Sequence, residues 1–163
     1  MKVGINGMGR IGRLALRAAL GGIRRPEGDP RAGNRLEVAH INELKGGIAA
    51  TAHLIEFDSV HGRWHESIGV EDDKFIAVGK TRIGFSEHAS PGEIAWGVLG
   101  CDVVLECTGK FLKPDQLQAY FDKGVKRVIV AAPVKDEAAL NIVVGVNDQL
   151  YDPARHRLLT AAS

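Results

Sequence analysis

The stretch Met1-Lys-Val-Gly-Ile-Asn-Gly-Met-Gly-Arg-Ile-Gly-Arg13, continued by Leu14-Ala-Leu-Arg-Ala-Ala-Leu20, decides how the rest of the chain is read. A short apolar run breaks into Gly7-x-Gly9-x-x-Gly12 and resumes with helical spacing, which predicts a strand, a glycine turn and a helix beginning near Arg10. Gly7 turns the backbone sharply out of the strand, Gly9 presents no Cβ to an approaching diphosphate, and Gly12 lets the helix lie close to the sheet. The leading N–H groups of that helix, at its positive dipole end, then face the diphosphate. Glycine is common here, at 20 of 163 residues, so the spacing alone also fits an ordinary strand-to-helix turn. The context downstream favours dinucleotide binding.

Residues 21–35 are rich in glycine, proline and charge and sustain no period, which predicts a surface loop. Leu36–Ile41 reads as the second parallel strand, ending at Asn42-Glu43. A carboxylate at that place accepts hydrogen bonds from free ribose hydroxyls and repels a 2′-phosphate, so Glu43 points to NAD rather than NADP. Its distance from Gly12 exceeds the usual ~20 residues, and the loop takes up the excess. The plainer alternative is an exposed glutamate at a strand end.

Lys45–Glu56 has helical spacing and leads into a polar loop, Phe57–Trp64. His61 and His65 stand four apart, but Gly62 between them and the absence of an HExxH pattern argue against a metal site. His65–Val70, Phe75–Val78 and Lys80–Phe85 alternate, and predict antiparallel hairpins inserted between parallel strands. Pro91–Trp96 reads as a short turn or helix. Asp102–Cys107 is an apolar run of the buried-strand type, with Thr108-Gly109-Lys110-Phe111 at its C-terminal edge, where open α/β sheets bind ligands. Pro114–Lys123 opens with a first-turn proline and reads as a helix, followed by a strand over Val125–Ala131. Leu140–Val146 and Leu158–Ala161 predict further strands, joined by a polar turn over Asn147–His156. The expected architecture is one α/β domain over residues 1–163, a Rossmann-type doubly wound, mainly parallel sheet with an antiparallel insertion.

Composition bounds the function. At 45% hydrophobic and 25% charged, the chain suits one buried domain and is too ordinary to be disordered, collagenous or coiled-coil. A formal net charge of +1 provides no overall field to recruit nucleic acid or an anionic membrane, so neither is expected as a partner. No apolar run approaches the ~20 residues of a membrane helix, and the N-terminus enters a strand without a signal-peptide core, which predicts a cytoplasmic protein. Cys101 and Cys107 have no CxxC companion, so they read as small buried residues rather than zinc ligands or a disulfide framework. Cys107 is the one tempting nucleophile, but its apolar strand has no nearby base in sequence and it is expected to be structural.

Four motifs in order, Val3-Gly-Ile-Asn-Gly-x-Gly-Arg-Ile-Gly-Arg13, Asp58-Ser-x-His-Gly-Arg63, Glu106-x-Thr-Gly109 and Pro133-x-Lys-Asp136, together resemble the glyceraldehyde-3-phosphate dehydrogenase family over nearly the whole chain. The resemblance implies the NAD-binding part of such an enzyme. It implies that Asn6, Gly7, Gly9 and Gly12 shape the cofactor turn, that Arg10 and Ile11 meet the diphosphate, and that Thr108 and Gly109 approach the nicotinamide side. Glu43 stands where the family usually has an aspartate beside the ribose. Ala89 lies where an arginine often sits near the adenine, and Ala131 and Val134 replace hydroxyl residues beside the cofactor.

The same resemblance implies a substrate-contacting role for Ser163, and places the family's nucleophilic cysteine immediately beyond it, with the general-base histidine and the substrate domain further on. No catalytic residue is then expected within residues 1–163, and the chain alone is expected to be inactive. The implied partners are a small phosphorylated aldehyde and phosphate or arsenate, in a homotetramer. Ala39-His-Ile-Asn-Glu43, Ala52-His-Leu-Ile-Glu-Phe-Asp58 and Ala132-Pro-Val-Lys-Asp-Glu137 look most like the branch associated with arsenic resistance. Ile41-Asn-Glu-Leu44 with Ala52-His-Leu54 is also similar to erythrose-4-phosphate dehydrogenases. From a different class, a nucleotide-binding module without chemistry fits the same residues.

Overall fold

Lys2–Asn6 forms the central strand β1, whose residues after Lys2 are all buried, as its apolar sequence requires. The computed structural model describes residues 1–21 and 36–161. The expected loop over 21–35 therefore lies, after Gly21, outside the described residues, as does Ser163. From β1 the glycine turn leads into helix α1 (Arg10–Gly21), which buries Gly12, Leu16 and Ala19 on one stripe. Strand β2 (Glu37–Asn42) and helix α2 (Gly47–Glu56) follow. The segment expected as a polar loop instead contains a small hairpin, β3 (Phe57–Asp58) and β4 (Gly62–Arg63). The guanidinium of Arg17 holds it, donating to the carbonyls of Ile55, Glu56 and Gly62 at 3.0–3.2 Å.

Next come β5 (Ile68–Glu71), β6 (Phe75–Val78) and β7 (Thr81–Ser86), then one 3-10 turn at Pro91–Glu93. The second half supplies β8 (Val103–Glu106), α3 (Pro114–Asp122), β9 (Arg127–Val130), β10 (Leu140–Asn141) and β11 (Leu158–Thr160). Among the described residues, nine strands make one mixed sheet in the order β10-β11-β9-β8-β1-β2-β7-β6-β5. Pairing is parallel from β10 through to β7 and antiparallel only at β7–β6 and β6–β5. The antiparallel insertion thus extends the sheet at one edge, and β7 returns to pair parallel with β2.

The strand order reverses beside β1. β2 and β7 are laid down on one side of it, β8, β9 and β11 on the other. That makes the gap between β1 and β8 the switch point, and the crevice beyond Asn6 and Glu106 the place where such a sheet takes a ligand. Apolar clusters cover both faces. Val3, Ile5, Leu16, Ile41 and Ile55 belong to one, and Trp96, Val104, Leu117, Tyr120 and Val128 to the other.

The strand expected over Leu140–Val146 stops at Asn141. Asn147 curls the chain, its Oδ1 accepting the Val143 N–H at 2.7 Å and its Nδ2 donating to the Asn141 carbonyl at 3.0 Å. Gly145 takes φ +84°, and Val143, Val144 and Val146 are left exposed. An apolar run indicates a strand only where a neighbouring strand is available to pair with it; here local side-chain acceptors and a left-handed glycine prevail.

Candidate functional site

The glycine turn divides its work among three positions. Gly7 sits at φ +91°, and a Cβ there would lie 2.7 Å from the Thr108 nitrogen; a Cβ at Gly12 would lie 2.0 Å from the Gly7 carbonyl oxygen. Both glycines are required by packing alone. Among the described residues a Cβ on Gly9 would meet nothing within 4 Å. Its bareness serves no contact in the fold and leaves open the face on which a diphosphate reaches the main chain and the start of α1. Arg10 and Ile11, in the first turn of that helix, are exposed.

Glu43 follows the end of β2, where its N–H donates to the Ser86 carbonyl at 3.0 Å. Its half-buried side chain reaches the glycine turn itself. Oε2 accepts the Met8 N–H at 2.7 Å and Oε1 accepts the Lys45 N–H at 3.1 Å. From the other side, Arg13 Nη1 donates to the Met8 carbonyl at 2.9 Å. The turn is therefore braced before any ligand arrives, with a carboxylate held at its rim.

Beneath the cleft a line of buried polar side chains crosses the C-terminal ends of four strands. His40 Nε2 lies 2.8 Å from Ser86 Oγ, and Ser86 donates to Asn42 Oδ1 at 2.8 Å. Asn42 Nδ2 donates to Asn6 Oδ1 at 2.8 Å, and Asn6 Nδ2 donates to Glu106 Oε2 at 3.0 Å. The Tyr120 hydroxyl donates to the same Glu106 oxygen, while Oε1 accepts the Thr108 N–H at 2.7 Å and the Thr108 hydroxyl. Every proton along the line from Ser86 points towards Glu106. Burial raises the Glu106 carboxyl above the usual carboxylate range, and its donors from Thr108, Tyr120 and Asn6 pull it back towards the ionised form.

The glycine turn, Glu43, Asn6, Asn42 and Thr108 line a cleft of about 220 Å³. Of the residues expected from sequence, Asn6, Gly7, Gly9, Glu43 and Thr108 line it. Gly12 stands behind it in the packing of α1, and Gly109, at φ +70°, forms the exposed turn after Thr108. Asn6 lines the cleft but is only 2% exposed, with its amide committed to Asn42, Glu106 and Tyr120, so its side chain braces the site from below. Ala89 is exposed at the cleft, Ala131 is half-buried and Val134 buried.

Sequence reasoning missed the roles of Asn42, Ser86 and Tyr120, and it took Glu106 only as part of a motif. The available signal was a carboxylate closing the apolar run Val103-Val-Leu-Glu106, two residues before a threonine. Cys107 lines the cleft, but burial and the neighbouring Glu106 push its thiol up to about 12; burial pushes Cys101 up to about 11. Neither offers a thiolate at neutral pH. His61 is engaged locally, its Nδ1 lying 3.1 Å from Asp58 Oδ1.

A doubly wound sheet, a glycine turn with an open face and a strand-end carboxylate at its rim define a dinucleotide-binding α/β domain. Residues 1–114 match the family described as glyceraldehyde 3-phosphate dehydrogenase, NAD binding domain. The chain is 55% identical over its whole length to glyceraldehyde-3-phosphate dehydrogenase 3 of Nostoc sp., covering 44% of that relative. It is 40% identical, again over its whole length, to the glyceraldehyde-3-phosphate dehydrogenases of Geobacillus stearothermophilus and Streptomyces coelicolor, covering 44% and 45% of them. The chain belongs to the glyceraldehyde-3-phosphate dehydrogenase family and carries its NAD-binding domain, and it spans less than half the length of these relatives. Among the described residues no helix is long and apolar enough to cross a membrane.

Proposed function

We propose that residues 1–163 are the cofactor-binding part of a cytoplasmic, phosphorylating glyceraldehyde-3-phosphate dehydrogenase that works as a homotetramer. The observation that carries this is the division among the three glycines: two are demanded by packing, and the third, Gly9, lines the cleft with space about it for a ligand. NAD supplies the hydride acceptor. The chain's own residues bind and orient it. The main chain at Gly9, Arg10 and Ile11, with the N-terminal end of α1, receives the diphosphate. Glu43 accepts the adenosine ribose hydroxyls and repels a 2′-phosphate. Thr108 and Gly109, across β1 from Glu43, form the nicotinamide side.

Covalent capture of the aldehyde needs a reactive thiolate, and Cys101 and Cys107 do not provide one. That role falls to the family's cysteine, placed directly after Ser163, with its histidine base beyond; Ser163 itself contacts substrate. The acylated enzyme is released by phosphate, or by arsenate in the arsenic-linked branch that residues 39–43, 52–58 and 132–137 resemble. The 163-residue chain alone is inactive towards glyceraldehyde 3-phosphate.

Calorimetric titration with NAD tests the site directly. Gly9→Val should abolish detectable NAD binding while the circular dichroism spectrum and unfolding midpoint stay close to those of the parent, because the added side chain meets only the ligand's path. Unchanged NAD affinity in a folded Gly9→Val chain would sink the assignment.

A further inference from the structure

The cleft has two ends of different electrical character. At the adenosine end, Glu43 is half-buried and held by two backbone N–H groups. At the other, Glu106 is 1% exposed and receives four donors, two on each oxygen. Two of those donors are fixed as donors, the Thr108 N–H as a backbone amide and the Asn6 amide because its Oδ1 accepts from Asn42 Nδ2, whose own Oδ1 accepts the His88 N–H, so the arrangement is built for a carboxylate. A buried anion immediately behind a cleft wall acts on whatever occupies that wall with little screening. The cation on the same side, Lys110, is exposed, so solvent screens its charge.

We propose that Glu106 sets the preference of this cleft for the oxidised over the reduced cofactor: a fixed negative charge behind the Thr108–Gly109 turn favours the nicotinamide ring that carries a positive charge over the neutral one. The proposal rests on the assignment of the Thr108 side to the nicotinamide. Glu106 touches no ligand on this reading. It acts through space, and through Thr108, which it pins by both backbone and hydroxyl. Tyr120 from α3 and Cys107 from the same strand end are the titratable groups beside it, and burial holds both in their neutral forms around neutral pH.

The test is a set of calorimetric dissociation constants for NAD, NADH and ADP-ribose on the 163-residue chain, its Glu106→Gln variant and its Tyr120→Phe variant. ADP-ribose reads the site without the nicotinamide. Glu106→Gln should weaken NAD relative to NADH by roughly three- to twentyfold, the scale of one charge acting through a partly screened interior, and leave ADP-ribose within about twofold. Tyr120→Phe removes a donor but keeps the charge, so its NAD to NADH ratio should stay near that of the parent. Equal weakening of all three ligands by Glu106→Gln, or a shift of the ratio by Tyr120→Phe as large as that by Glu106→Gln, would show a merely structural role and overturn the proposal. If the parent binds NAD and ADP-ribose equally and prefers neither NAD nor NADH, the charge argument fails while the site assignment stands; if ADP-ribose does not bind, the site assignment fails and takes the proposal with it. Should Glu106→Gln not fold, the dissociation constants of the parent replace it: NAD should bind more tightly than NADH, and a parent that binds NADH as tightly as NAD or more tightly overturns the proposal.

Discussion

Glu43 and Glu106 stand on opposite sides of β1, each at the C-terminal end of a strand paired to it, and they do different work. Glu43 lines the cleft and is half-buried. Glu106 is sealed in and saturated by four donors. The difference lies in what packs above each. Glu43 reaches the glycine turn at the cleft, whereas α3 covers Glu106 with Tyr120, itself fully buried. A strand-end carboxylate becomes a binding group where the sheet is open and a brace where a helix closes over it.

The largest effect should come from breaking the brace. Glu106→Ala leaves the buried Asn6 amide and Tyr120 hydroxyl with only each other and releases the Thr108 N–H and hydroxyl at the cleft, which costs on the order of 2–4 kcal/mol. Glu43→Ala removes two partly exposed hydrogen bonds and should cost under about 1 kcal/mol. Urea unfolding of the two variants measures both, and similar losses would collapse the distinction between them.

The far end of the same polar line gives a pH-dependent test. His40 is 5% exposed, its Nδ1 is buried without a partner among the described residues, and burial together with His88 lowers its pKa from the ordinary 6.5 to about 4. Between those values the unfolded chain holds a proton that the folded chain refuses, so stability declines as the pH drops from about 6.5 to about 4, by on the order of 2–3 kcal/mol. Unfolding free energies across that range should show the decline, and His40→Gln should flatten it. An equal slope in the variant would remove His40 as its source; the carboxylates Asp58 and Asp102, held low by hydrogen bonds, lose their contribution mainly below their ordinary 3.8.

The open half of this comparison was legible in the sequence and the closed half was not. Gly7, Gly9, Gly12 and Glu43 announce themselves because a glycine turn and a strand-end acid have fixed places relative to a parallel sheet. The helices starting at Arg10 and Pro114, and strand β6, follow from spacing and proline position. Asn6–Asn42 and Glu106–Tyr120 contacts depend on register between β1 and its neighbours and on the placement of α3, which no local pattern encodes. The same reason explains the failed strand at Val143–Val146, where the apolar run was visible and the missing pairing partner was not.

The smallest expected effect on the fold is the most informative about function. Glu43→Ala should weaken NAD about tenfold, corresponding to roughly 1.4 kcal/mol, because the ribose loses one charged acceptor at a half-buried site. NADP should gain or hold its affinity, since the carboxylate that repels a 2′-phosphate is gone, and the preference for NAD should narrow accordingly. A second consequence follows from the structure. Met8 loses the acceptor of its N–H, 2.7 Å away in the parent, so the glycine turn is less well braced and part of the NAD loss will reflect turn mobility. Glu43→Asp separates the two contributions. The shorter side chain keeps the charge the family usually places there, and it should preserve discrimination against NADP even if it no longer reaches Met8. Calorimetry with both cofactors on both variants decides the matter: equal NAD and NADP affinity in the parent, or retained discrimination in Glu43→Ala, would remove Glu43 from the ribose site and leave it, like Glu106, a brace.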